Sequence, residues 1–509
     1  MLMKSSKILT LAVTFALLAS VMVPILGNGP VANAAADNHN IEVKIGLLNP
    51  LTGPIDVYAP AFTDAGDLAI AHLNDGQSDY HFSLVEADSG CDGTTAATGA
   101  QTLVDAGVVG IAGAACSGAT MGAIDVAAAA GVPMVSYAST SPAITSYDDD
   151  GYLFRVVPSD AQQGQALADV FAASGYENPG VIAMTNDYGA GFHAAFLDNW
   201  DGTPCAEATY ADGTTDFATH VAAVLDNNCD SVVMITYASD GAAIAEELAT
   251  QGADVQIFGG DGIADVGFAS EFTDLSALDG VTATKPASGA PTEYQYMFDM
   301  FYGAAAAAYG FEGGIYVRET FDAIAVIGLA AATATQTPLP DDGVREMLGT
   351  LVGGPDAPQE GASGTHIFDE NGDVAGSGYD ICTFNVDEND TVELDCHSSW
   401  GLLDGLDDQG IPKAPVVPGC MDSTANNYNA DATVNNDSCT FDAVVPGCMD
   451  STANNYNADA TEDDPSNPCT FDAVEPEPEP EEEADEVPGF GLLSAVAAIG
   501  VVLLLRRRL

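Results

Sequence analysis

The chain has 509 residues, 47% of them apolar, so it can bury large cores and is not a disordered polymer. It carries 75 acidic against 11 basic residues, a formal net charge of −64. That charge is repelled by phosphate backbones, which excludes nucleic acid as a partner, and its self-repulsion is a lever for staying soluble in salt water.

Lys4 and Lys7 precede the apolar run Ile8 to Leu26, and Ala32-Asn33-Ala34 is a small-residue cleavage pattern, so residues 1–34 read as an export signal. From Ile41 to about Trp400 short apolar runs alternate with helical periodicity. Strands are expected at Val43–Leu48, Phe82–Val85, Val108–Ala112 and Pro133–Ser136, with helices at Ala61–Leu73, Thr95–Val104 and Gly118–Ala130 between them. The alternation resumes with helices at Ala161–Ala173, Gly191–Leu197, Phe217–Leu225 and Gly241–Thr250, and strands at Val181–Met184, Ser231–Ile235 and Val255–Phe258. Repeated βαβ units imply parallel sheets covered on both faces, and residues 35–401 are too many for one ordinary core. The expectation is an α/β body with two lobes.

Beyond Pro415, residues 416–443 and 444–473 are a tandem repeat. Both halves contain V-P-G-C-M-D-S-T-A-N-N-Y-N-A-D-A-T and end in C-T-F-D-A. Each repeat is too small for a core of its own. Its Asn and Asp side chains, Asp431, Asn435 and Asp437 among them, offer oxygen ligands that suit Ca²⁺, although the spacing does not match an EF-hand loop; a plain stalk module is the alternative. Residues 474–486 form an extended Pro/Glu spacer. Residues 487–509 then give Pro488-Gly489-Phe490, an apolar run to Leu505, and Arg506 to Arg508. The run is about long enough to span a bilayer, and the arginines would remain cytoplasmic, leaving the bulk of the chain outside. This tail resembles the PGF-CTERM sorting signal of archaeal surface proteins, which implies removal of the tail and C-terminal lipid anchoring at the extracellular face of the membrane.

An exported chain with ten cysteines suggests disulfides, and sequence neighbours pair naturally: Cys91–Cys116, Cys205–Cys229, Cys382–Cys396, Cys420–Cys439 and Cys448–Cys469. No C-x-x-C motif supports zinc or dithiol chemistry.

Open α/β sheets bind ligands beyond the carboxyl ends of their strands, so the turns after strands hold the candidate residues. Tyr58 follows the turn Asn49 to Pro54. Ser117 stands where Gly113 to Gly118 opens a helix; it is either a plain N-cap or, with the free N–H groups behind it, a holder of a carboxylate. Ala138 and Thr140 lie in the turn Ser136 to Pro142, and Tyr237 ends the strand 231–235. Asp261 sits between glycines after the strand 255–258; it is either a turn residue or the partner of an ammonium group.

In this order the segments I-G-L-L-N-P-L-T-G-P, the Cys91–Cys116 spacing followed by Ser, S-Y-A-S-T-S-P, F-R-V-V-P-S-D-A-Q-Q-G and N-D-Y-G-A-G-F resemble the branched-chain amino-acid-binding family of periplasmic receptors. The resemblance implies a two-lobe periplasmic-binding-protein type I fold that captures an amino acid for the permease subunits of an ABC importer. It implies that Ser117, Ala138 and Thr140 hold the α-carboxylate and ammonium, that Tyr237 and Asp261 come from the second lobe, and that Tyr58 closes over the ligand. Lobe one would comprise about 41–157 and 285–368, lobe two about 158–284 and 369–401, with hinges near Pro158 and Pro286. Some relatives carry Glu where this chain has Asp261, which leaves room for a different ligand or a water.

No P-loop, G-x-S-x-G or H-E-x-x-H motif occurs, and the seven histidines are scattered, so an enzyme is not expected. The alternative function is a surface receptor or adhesin-like envelope protein that uses the same domain for another small polar ligand, such as an amide.

Overall fold

The computed structural model describes residues 41–75, 79–287, 314–334, 343–350, 352–429, 432–436, 438–442 and 444–472. The export signal, the spacer, the 487–509 tail and the calcium candidates Asp431 and Asp437 lie outside them.

Residues up to Ala414 form one compact unit with two sheets. The first sheet holds β1 (Ile41–Asn49), β2 (Tyr80–Asp88), β3 (Ile111–Ala112), β4 (Met134–Ser136) and β5 (Leu153–Arg155), all parallel, in the order β2-β1-β3-β4-β5. Between its strands run α1 (Ala59–Asn74), α2 (Gly93–Asp105) and α3 (Ser117–Ala129). α1 buries Phe62, Ala65, Gly66, Ala69 and Leu73, the i, i+3, i+4, i+7 face that amphipathic packing requires. α2 starts where it does because Asp92 caps it, accepting from the Thr94 and Thr95 N–H groups.

The second sheet contains β6 (Pro179–Met184), β7 (Ala206–Tyr210), β8 (Ser231–Ile235), β9 (Gln256–Gly259) and β10 (Thr282–Pro286). Its helices are α4 (Asp160–Ser174), α5 (Asp187–Asn199), α6 (Ala218–Asp226) and α7 (Ala238–Thr250). These strands run in the order β10-β9-β8-β6-β7. β6 and β8 are buried along their whole length, as strands covered on both faces are. Phe171 is the hub of this core, with Phe196, Trp200 and Phe258 at ring distances of 6.2, 5.3 and 5.6 Å.

After β10 the chain returns to the first lobe with α8 (Val317–Thr333), which packs on α1, and a small hairpin, β11 (Gln359–Glu360) and β12 (Thr365–His366). It then re-enters the second sheet as β13 (Tyr379–Val386), β14 (Val392–Gly401) and β15 (Gly405–Asp407). These three strands are antiparallel, an edge that the βαβ pattern did not announce. The Trp400 indole N–H donates to Asp169 at 2.7 Å and ties this edge to α4.

Two lobe boundaries shift. Lys285, expected in the first lobe, lies within β10 of the second sheet, which runs to Pro286. Residues 369–373, expected in the second lobe, lie against the end of β5: the Arg155 N–H donates to the Gly372 carbonyl and the Arg155 guanidinium pairs with Asp373.

Disulfides join Cys91–Cys116, Cys205–Cys229 and Cys382–Cys396 in this unit. Residues from Pro415 onward form a separate unit in which each repeat is closed by its own disulfide, Cys420–Cys439 and Cys448–Cys469. Among the described residues each repeat has a pair of two-residue parallel strands and leaves Met421, Tyr428 and Phe441, or Met449, Tyr456 and Phe471, exposed. The Asn427 amide staples its repeat, accepting from the Thr440 N–H and donating to the Ser438 carbonyl, and Asn455 does the same with Thr470 and Pro468. Among the described residues no group of three or more His, Cys, Asp or Glu side chains is placed to hold a metal, and no helix is long and apolar enough to cross a membrane.

Candidate functional site

A cavity of ≈ 30 Å³ lies between the carboxyl ends of the two sheets. Ile55, Tyr58, Phe62, Ala115, Ser117, Ala138, Ile315 and Tyr316 face it from the first lobe, and Tyr188, Tyr237, Asp261 and Gly262 from the second. Five of the six expected residues therefore meet there. Thr140 does not line the cavity; it is buried behind the wall.

The first-lobe wall is a knot of short polar contacts. Ser117 is the first helical residue of α3 and not its cap; the cap position is Cys116, held in its disulfide and making no side-chain cap bond. The Ser117 hydroxyl instead accepts from the Ser141 N–H at 3.2 Å. Ser136 donates to the Ala114 carbonyl, and Ser139 donates to the carbonyls of Ala114 and Ala115. The serine-rich turn is thus turned inward on the 114–115 turn, while the Tyr137 ring packs on Phe62 at 5.1 Å and leaves Ala138 at the cavity. Arg155, fully buried, locks this arrangement: it donates to the Ser139 and Ser141 carbonyls and chelates Asp373 at 2.7 and 2.8 Å.

The second-lobe wall is aromatic and acidic. Tyr237 stacks on Tyr188, with centroids 5.0 Å apart and planes 11° from parallel. Asp261 follows β9, and its flanking glycines are set by close packing: a Cβ on Gly260 would meet the Phe192 ring at 2.1 Å, and one on Gly262 the Thr236 carbonyl oxygen at 2.3 Å. The Asp261 carboxylate accepts from the Tyr188 hydroxyl at 3.0 Å and from the Tyr316 hydroxyl at 2.6 Å. Burial pushes its pKa up, and the two tyrosine hydroxyls oppose that rise.

Tyr316 reaches Asp261 from the other lobe. It precedes α8 with φ 60°, the left-handed region that a bulky residue seldom adopts. Next to it the Ile315 N–H donates to Asp265 at 2.7 Å, and across the cleft Ser141 donates to the Asp187 carbonyl at 2.8 Å. The lobes are closed on one another. Tyr58 lies over the cavity from the first lobe, close enough to Gly267 of the second that a Cβ there would meet its ring at 2.7 Å.

Tyr188, Tyr316 and the buried Asp160 are functional candidates that sequence reasoning did not assign. Two of them stood inside quoted segments, Tyr188 in N-D-Y-G-A-G-F and Asp160 in P-S-D-A-Q-Q-G. Tyr316 had no such signal.

The family profile described as periplasmic binding protein matches residues 42–366. The chain is 28% identical over 256 residues to the Leu/Ile/Val-binding protein of Citrobacter freundii, which covers 48% of this chain and 68% of that protein. It is 26% identical over 358 residues to the leucine-, isoleucine-, valine-, threonine- and alanine-binding protein of Pseudomonas aeruginosa, covering 68% and 90%. Its fold is similar to that of a branched-chain amino acid transporter substrate-binding protein of Streptococcus pneumoniae solved with isoleucine, with a TM-score of 0.59, 23% identity, and 69% and 98% of the two chains covered. With its sheets, its cleft and a profile match over more than half its length, the chain belongs to the periplasmic binding protein family.

Proposed function

We propose that this protein captures a free amino acid in the cleft and presents it to an ABC-type importer at the outer face of the membrane. The observation that carries this reading is one cavity with two unlike walls: Ser117 at a helix start and Ala138 in a turn on one lobe, and a carboxylate, Asp261, on the other. A zwitterion suits that pair. The N–H groups opening α3 and the Ser117 hydroxyl donate to its carboxylate, while Asp261 accepts from its ammonium. The rings of Tyr58, Tyr188 and Tyr237 exclude water and strengthen both contacts. Closing about the crossings near Pro158 and Pro286 brings the two half-sites together. The relatives named for leucine, isoleucine and valine support an apolar side chain on the ligand. The 487–509 tail supports C-terminal anchoring, with the repeats and the Pro/Glu segment as spacer.

A thermal-shift screen over the free L-amino acids and small amides tests this. One or a few amino acids should raise the melting temperature. Asp261→Ala should weaken them by about 2–4 kcal/mol, roughly thirtyfold to a thousandfold, because it leaves an ammonium buried without its partner. A screen with no shift, or an Asp261→Ala protein that binds normally, ends this reading. A shift with amides alone favours the receptor alternative.

A further inference from the structure

Behind the cleft, acceptor oxygens outnumber the donors able to satisfy them. Asp160, the first residue of α4, is 0% exposed, and neither carboxylate oxygen has a hydrogen-bond partner among the described residues. The Gln163 amide oxygen is likewise buried without a partner, and the Thr140 hydroxyl, the one donor turned toward Asp160, has a single proton for its two oxygens. Gln163 donates its own N–H bonds to Thr284, and the Asp160 backbone N–H is on the Thr140 carbonyl at 2.7 Å.

The groups facing Asp160 do not neutralise it. Asp261 comes from the end of β9 as a second carboxylate. Arg155 comes from β5, but its guanidinium chelates Asp373 and holds the Ser139 and Ser141 carbonyls. Tyr188 and Tyr316 give their hydroxyls to Asp261, and Tyr379 of β13 gives its hydroxyl to the Ser159 carbonyl. Tyr237, at the start of α7, adds only its ring. Burial pushes the Asp160 pKa up and Asp261 adds to the rise, with Thr140 and Arg155 opposing it. A proton on Asp160 would turn one orphaned acceptor into a donor, and the Thr140 hydroxyl beside it could then accept.

We propose that closing the cleft takes up one proton, held on Asp160, so that ligand capture is linked to pH. Asp160 sits at the seam of the lobes: its backbone N–H is on the Thr140 carbonyl of the first, and the carbonyl of its neighbour Ser159 takes the Tyr379 hydroxyl of the second. Opening the cleft rehydrates the carboxylate and releases its proton; closing reverses this, and the proton comes from solvent. The link to an amino acid rests on the functional reading above.

The test is calorimetric titration of the full-length protein, near neutral pH, with the amino acid found by the screen, in buffers of differing protonation heat. Wild type should take up about one proton per ligand, and its affinity should fall by up to tenfold per pH unit as pH rises. Asp160→Asn, which mimics the neutral acid, should bind the same ligand with no uptake and a flat pH profile. No uptake by wild type, uptake unchanged in Asp160→Asn, or an affinity that follows sodium concentration and not pH would overturn the proposal. A second measurement needs no ligand. Because closure takes up the proton, a fall in pH should by itself draw the ligand-free protein toward the closed form. Small-angle scattering of ligand-free wild type should therefore give a smaller radius of gyration at about pH 5 than at about pH 8, with Asp160→Asn the same at both, and a wild-type radius that does not move, or that moves equally in Asp160→Asn, would overturn the assignment to Asp160. If no amino acid binds, the functional reading fails while this comparison still decides where the proton sits.

Discussion

The first-lobe wall of the cavity is neutral and knit from within, whereas the second-lobe wall carries a carboxylate whose partners reach it from both sides. Ser136 and Ser139 give their hydroxyls to the 114–115 carbonyls, and Ser136 and Ser117 accept from the N–H groups of Ser139 and Ser141, under the clamp of Arg155 and Asp373. That wall is finished before any ligand arrives. Asp261 takes one hydroxyl from its own lobe, Tyr188, and one across the cleft, Tyr316. Rigidity thus sits on one side, and the charge and the sensitivity to closure on the other. A preformed half-site keeps the ordering cost of binding low, and a half-site completed by closure makes capture depend on the lobes meeting.

Arg155→Met strikes the clamp and should have the largest effect. Asp373, its side chain only 12% exposed, would lose its cation, and the Ser139 and Ser141 carbonyls their donor, which costs about 3 kcal/mol. The loss should be confined to the first lobe, and the chain reports this by itself: both of its tryptophans, Trp200 and Trp400, pack in the second. Denaturant unfolding followed by far-ultraviolet circular dichroism should become biphasic, with the tryptophan fluorescence keeping the later midpoint. Coincident shifts of both signals would show that the two lobes do not differ in this way.

Tyr316→Phe and Tyr188→Phe remove a hydroxyl from the same carboxylate. The Tyr316 bond exists only when the lobes meet, so losing a hydrogen bond to a charged group should weaken ligand binding by about tenfold. The Tyr188 bond lies within one lobe and is present open or closed, so its loss should lower the melting temperature and leave affinity nearly unchanged. Equal effects on affinity would mean that Tyr316 is not acting across the cleft.

Much of the first wall was legible because it is made of local turns. A strand, a short polar turn and a helix start leave a pattern in consecutive residues, and Ser117 and Ala138 stand where that pattern put them. The role of the serines was not legible: a hydroxyl in a turn can face a ligand or its own backbone, and only packing decides that Ser136 and Ser139 face inward and that Thr140 stays behind the wall. Asp261 was visible from its glycines, yet those glycines serve Phe192 and Thr236, contacts from other elements. Tyr316 could not be found. It belongs to the cleft because α8 crosses back to the first lobe and its backbone turns left-handed there, a long-range event that no local periodicity records. The antiparallel edge β13–β15 escaped for the same reason: strand direction is set by the partner strand.

The smallest expected effect concerns the charge surplus of the second lobe. Asp240, in the first turn of α7 just beyond Tyr237, has its pKa pushed up to about 6 by burial; Asp212 adds to the rise, and the hydroxyls of Tyr210 and Ser239 oppose it. An unfolded aspartate titrates near 4, so between about pH 4 and 6 the folded chain holds a proton that the unfolded chain has released. Stability attributable to Asp240 is therefore full below about pH 4 and is lost as pH rises through 6. Asp240→Asn cannot ionise and escapes this loss. It should match wild type in acid and exceed it above pH 6 by about 1 kcal/mol, less than the full shift implies because the side chain is partly exposed to screening solvent. Added salt should shrink the gain, because screening quiets the Asp212 contribution first. A gain that persists in acid would point to repacking around Asp240, and no gain at neutral pH would mean that the second lobe tolerates this charge without cost.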